Sequence, residues 1–77
     1  MISDATLLEI KNEMHRAKIK WPEWVTDPIH RAAIVSEEAG ELIQSSLQYV
    51  YENGSIEDIR KEAIHTAATA IRLLENL

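Results

Sequence analysis

Apolar residues recur along this chain in three blocks of helical spacing, separated by two short breaks. In the first block Leu7, Leu8, Ile10, Met14, Ala17 and Ile19 form a stripe, and Ser3 or Asp4 can cap its first turn. Trp21 precedes Pro22, and a residue before proline is pushed out of the α region, so this helix should fail at Lys20. The stretch KWPEWVTDP, residues 20–28, then reads as a short ordered loop carrying both tryptophans. Asp27 followed by Pro28 is a start signal, a capping residue and then proline at the first helical position. The second block runs from Pro28 through Ile34, Leu42 and Val50 to a stop at Asn53-Gly54. Ser55 with Asp58 resembles a capping box for a third helix, Ile56 to about Glu75, whose apolar residues cover more than one face.

The pattern predicts an all-α fold, three helices per chain, in a single domain over residues 1–77. The short Asn-Gly-Ser connection favours an antiparallel pairing of helices two and three. A chain of 77 residues buries only about 60 % of the surface its unfolded form exposes, which makes its own core marginal. It has no cysteine for a disulfide or a thiolate zinc site. Yet 45 % of its residues are hydrophobic, mostly Ala, Ile and Leu. The antiparallel helical bundle is therefore expected to be completed by oligomerisation, as a homodimer or a dimer of dimers.

Charge narrows the partners. Thirteen acidic against eight basic residues give a net charge of −5, which argues against binding to a nucleic acid polymer. No apolar run is long enough for a membrane span and no signal-peptide pattern opens the chain, so a cytoplasmic protein is expected. The charges are also segregated. No Lys or Arg lies between Ala32 and Ile59, a stretch that holds Glu37, Glu38, Glu41, Glu52, Glu57 and Asp58.

The densest point is SEEAGEL, residues 36–42. Like charges at helical neighbour spacing repel by roughly 0.2–0.5 kcal/mol per pair, and an interior glycine costs about 1 kcal/mol relative to alanine. Either the cluster is a solvated face or a cation belongs there. Glu38 and Glu41 share a helical face, and Glu62 and His65 have the same spacing on the third helix. Facing each other, the two pairs would make an oxygen-rich site for a hard divalent cation such as Mg²⁺, with substrate phosphate oxygens filling the remaining positions. Gly40 would let backbone or ligand approach closely.

EEAGEL, residues 37–42, followed after 20 intervening residues by EAIH, residues 62–65, resembles the EExxE…ExxD signature of the MazG-like nucleotide pyrophosphohydrolases of the all-α NTP pyrophosphatase superfamily. The resemblance covers roughly residues 21–74, and it departs at position 65, where the family has Asp and this chain has His. It implies divalent-metal-dependent hydrolysis of a nucleoside triphosphate to the monophosphate and pyrophosphate, as in nucleotide-pool house-cleaning. Carried over by position, Glu38, Glu41 and Glu62 match metal ligands, with His65 in the place of the missing aspartate. Glu37 or Glu38 would orient or deprotonate the attacking water. Imidazole suits Mn²⁺ or Zn²⁺ better than Mg²⁺, which leaves four readings of His65: ligand to a softer metal, base, hydrogen-bond partner of an outer-shell water, or mark of weakened or lost activity. The competing expectation is a catalytically inactive nucleotide- and metal-binding helical oligomer that acts as an interaction module. A plain helical dimer is the third.

Trp21 and Trp24 have two readings: stacking on a nucleobase, or covering the end of a small bundle. Lys18, Lys20, Arg31, Lys61 and Arg72 are the available triphosphate contacts, with Lys20 and Arg72 selected as substrate-binding candidates. Arg72 shares a helical face with Glu62 and His65. His15, His30, Tyr49 and Tyr51 have no identifiable partners for chemistry and are expected at the surface or at an interface.

Overall fold

The computed structural model describes all of residues 1–77. It contains three helices and no strands: α1 (Asp4–Lys20), α2 (Pro28–Tyr51) and α3 (Ile56–Glu75). Each start is set locally. The Ser3 hydroxyl accepts from the Thr6 N–H, the Asp27 carboxylate from the Ile29 N–H, and the Ser55 hydroxyl from the Asp58 N–H. Only this half of the Ser55–Asp58 capping box forms, because the aspartate side chain is too short to return the bond.

The α2–α3 connection differs in detail from the expected glycine stop. Asn53, not Gly54, takes the left-handed conformation, with φ 58°. Gly54 is there for space: its N–H donates to the Gln48 carbonyl at 2.9 Å, and a Cβ added to it would sit 2.9 Å from the Gln48 backbone. A side chain at position 54 would open this turn.

Helix α3 is the centre of the fold. It packs on both α1 and α2, whereas no Cα pair of α1 and α2 comes within 8 Å. Arg31 near the start of α2 donates to the carbonyl of Asn76 just past α3, so α2 and α3 run antiparallel, as expected. Helix α1 runs parallel to α3: Glu9 pairs with Arg60, Glu13 faces His65, and the Trp21 carbonyl accepts from Arg72. The loop between α1 and α2 carries the chain across the end of α3 and makes this parallel placement possible.

The core is thin. Of 77 residues only Ile10, Ser45 and Ala68 are buried. Ser45 donates to the Leu42 carbonyl within its own helix, which satisfies its hydroxyl and leaves a small surface where α2 meets α3. Large apolar side chains on the outer face of α2 remain open, including Ile29, Ile43, Leu47 and Val50. No helix is long and apolar enough to cross a membrane.

Candidate metal centre

His65 stands at the middle of α3 with carboxylates on both sides of its ring. Its Nδ1 lies 3.8 Å from Glu38 Oε2 and 3.8 Å from Glu62 Oε2. On the other side Nε2 lies 3.5 Å from Glu13 Oε1. Glu38, Glu62 and His65 together offer three ligand atoms within 4.8 Å of one another, all on partly buried side chains. The oxygens Glu38 Oε2 and Glu62 Oε2 are themselves shielded from solvent and have no hydrogen-bond partner. Unpartnered carboxylate oxygens at this depth are costly unless a proton or a cation reaches them.

The electrostatics follow the geometry. Burial pushes the Glu38 carboxyl above its ordinary range, and neighbouring Glu41, Glu62 and Glu13 add to the rise while His65 opposes it. Glu13 moves the other way. Its two-point hydrogen bond from Arg16, with Nε at 2.8 Å and Nη2 at 2.6 Å, holds it below the usual carboxylate range against its partial burial. The two acids that flank one imidazole are therefore shifted in opposite directions, Glu13 down by its arginine and Glu38 up by burial.

The cluster opens into a cavity of about 900 Å³ between the three helices and the tryptophan loop. Glu13, Glu37, Glu38, His65, Arg31, Arg72, Trp21 and Trp24 are among its lining residues. Both arginines lie against Trp24, their guanidinium carbons 5.4 Å (Arg31) and 5.0 Å (Arg72) from its ring centre. Arg31 is tied down by donating to the Val25 and Asn76 carbonyls, each at 2.6 Å. Only Nη2 of Arg72 finds an acceptor in the chain, the Trp21 carbonyl at 2.7 Å, so its other donors are free for a ligand. Trp24 thus holds the loop against the arginines, while Trp21 is half exposed, with the Lys20 ammonium 4.7 Å from its ring centre.

The residues singled out from the sequence divide as follows. Glu38, Glu62 and His65 converge. Glu37 is exposed and lines the cavity. Glu41 is exposed and outside the three-ligand group, acting on Glu38 only through its charge. Lys20 lies off the cavity and over Trp21. Gly40 is not at the site: it lies on the exposed side of α2, and an added Cβ would meet nothing within 4 Å. The residue the sequence reading passed over is Glu13. Its signal was available, since it is three beyond Ile10 and four before Ala17, an acid set into the apolar stripe of α1. Arg31 was noted but not selected, and it is the second clamp on Trp24.

No protein-family model, curated protein or solved structure matches this chain. The resemblance to the pyrophosphohydrolase signature rests on the quoted residues alone.

Proposed function

We propose that this protein is a divalent-metal-dependent nucleoside triphosphate pyrophosphohydrolase, converting the triphosphate to the monophosphate and pyrophosphate. The observation that carries the reading is the pair of unpartnered oxygens, Glu38 Oε2 and Glu62 Oε2, meeting the His65 imidazole at the mouth of a nucleotide-sized cavity. Two carboxylates and an imidazole fit Mn²⁺ better than Mg²⁺, because nitrogen is a poor ligand for the harder ion. A cation held by Glu38, Glu62 and His65 would supply charge neutralisation for the phosphate oxygens and a lowered pKa for a bound water.

The chain's own groups have complementary tasks. Arg72, with donors free, binds phosphate oxygens, and Arg31, anchored to the Val25 and Asn76 carbonyls, steadies Trp24. The exposed Trp21 ring offers a stacking face for the base. Glu37, at the cavity edge and solvated, is placed to orient an attacking water and take its proton. Glu13 keeps His65 in place from the side away from Glu38 and Glu62.

The second reading, a helical module that binds metal and nucleotide without hydrolysis, is favoured by one specific feature. His65 has carboxylates on both sides of its ring, so contacts within the chain already surround the imidazole. Release of pyrophosphate across a panel of nucleoside triphosphates, with Mg²⁺ and with Mn²⁺, separates the two. Metal-dependent release supports the enzyme. A nucleotide- and metal-dependent rise in melting temperature without release supports the module, and absence of both removes both readings. Restoring the family's acid by His65→Asp is expected to raise Mg²⁺-supported turnover. A fall would mean that the imidazole contributes positively.

A further inference from the structure

Helix α1 lies outside the stretch that carries the pyrophosphohydrolase resemblance, yet it closes one side of the metal centre through Glu13. The Glu13 side chain is 14 % exposed, less than that of Glu62 at 18 % or Glu38 at 26 %. Arg16, one turn further along α1, holds it with a two-point fork: Nε donates to Oε1 at 2.8 Å and Nη2 to Oε2 at 2.6 Å. Such a fork fixes the plane of the carboxylate as well as its place. Oε1 is also the oxygen nearest His65 Nε2, at 3.5 Å. A carboxylate oxygen accepts more than one hydrogen bond, so the bond from Arg16 leaves Oε1 able to take another.

A neutral imidazole shares one proton between two nitrogens, and the partner of one nitrogen decides what the other can do. The two nitrogens of His65 have unlike surroundings. Nδ1 lies 3.8 Å from both Glu38 Oε2 and Glu62 Oε2, the two shielded oxygens without a hydrogen-bond partner. Nε2 lies against Glu13. A proton on Nδ1 would set the Nε2 lone pair against the Glu13 oxygen and leave no nitrogen free for a cation between Glu38 and Glu62. A proton on Nε2 gives Glu13 a donor and frees the Nδ1 lone pair where the other two ligands converge. At 3.5 Å the contact is about half an ångström longer than a formed N–H···O bond, a gap that rotation of either side chain covers. An aspartate at position 65 would have no second nitrogen to satisfy. The imidazole brings with it the need for an acceptor, and α1 supplies one.

Resting on the reading of this cluster as a cation site, we infer that Glu13 is its positioning residue: it accepts the His65 Nε2 proton and so presents Nδ1 as the ligand that joins Glu38 and Glu62. Glu13 touches neither the cation nor the reacting atoms. Support runs from Arg16 to Glu13 to His65, the arrangement by which an outer carboxylate fixes the tautomer and orientation of a ligating histidine. The site is then a product of all three helices, and α1 sets how well α2 and α3 hold a cation.

The test uses the full chain and metal alone, without nucleotide, so that it stands apart from hydrolysis. In ¹⁵N spectra of the parent, diamagnetic Zn²⁺ is expected to shift His65 Nδ1 while Nε2 keeps its proton. Coordination through Nε2, or no response from either nitrogen, overturns the inference, and the parent spectra decide this whatever the stability of any variant. Calorimetry with Mn²⁺ gives the second readout. Glu13→Met removes both acceptor oxygens at similar side-chain length and is expected to weaken binding on the order of 10- to 100-fold. In a His65→Asp background the same change should cost less than about threefold, since no ring remains to be oriented and only a screened charge is lost. Equal losses in the two backgrounds would show Glu13 acting through its charge or through the fold, and would overturn the inference. The expected metal binding without pyrophosphate release would remove hydrolysis and uphold the role of Glu13. Absence of metal binding would remove both.

Discussion

The two faces of α2 invert the usual arrangement of a surface helix. The face packed on α3 holds a partly buried carboxylate, Glu38, whose oxygen lacks a partner. The face turned outward holds Ile43, Leu47 and Val50. In a solitary globular chain the charge belongs outside and the aliphatics inside. Here the inner face keeps two carboxylate oxygens without a partner and the outer face keeps its aliphatics open to solvent. That teaches why one helix can be acidic at its middle and apolar over most of its circumference without contradiction.

The sharpest way to break this comparison is to remove carboxylates from the two sides of the SEEAGEL turn. Glu38→Ala is expected to lower metal-dependent turnover on the order of 100-fold or more, with helical circular dichroism unchanged, because it deletes a converging ligand. Glu41→Ala, on the exposed flank, should cost less than about tenfold, consistent with an effect through charge alone. Equal losses in steady-state assays would mean that the inward and outward carboxylates of α2 are not functionally distinct.

A smaller effect probes the outer face. Gly40→Ala removes the helix penalty of glycine and meets no obstacle within the chain, so dilute protein should gain about 1 kcal/mol of stability. If Gly40 lay at a contact between copies, the gain would shrink as the protein is concentrated. Melting temperatures of parent and variant over a dilution series check it. A gain independent of concentration would separate Gly40 from any contact between copies.

The smallest effect concerns the inner face and pH. Burial first, then Glu41, raises the Glu38 pKa, so the folded chain holds this proton more tightly than the unfolded chain does. The contribution of this group to stability therefore falls as pH rises from the ordinary carboxylate range through the raised folded value, and the penalty is complete above it. Glu38→Gln lacks this dependence. Without added metal it should be more stable than the parent at neutral pH, and the advantage should disappear below about pH 4, where both states of the parent are protonated. Urea titrations at the two pH values measure it.

Much of the fold was legible because helix ends are local events. Ser3, Asp27-Pro28 and Ser55 cap or open the helices they precede, and Pro22 ends α1 next to the tryptophan loop. Glu38, Glu62 and His65 were legible as well, since spacing on two antiparallel helices places them at matching heights. Glu13 and Arg31 were harder to select, because their value depends on which helix lies beside them. A sequence period gives the direction of a side chain relative to its own helix and says nothing of its neighbour.

The sequence by itself determined three helices, their boundaries and the acidic turn, because capping, proline geometry and periodicity act within a few residues. Tertiary structure decided that α1 lies parallel to α3 and brings Glu13 to His65, and that of the SEEAGEL carboxylates Glu38 is the one that meets Glu62 and His65. It also decided that Gly40 faces outward. These outcomes depend on how the helix axes rotate and pack against one another, a balance of many small contacts between residues far apart in the chain.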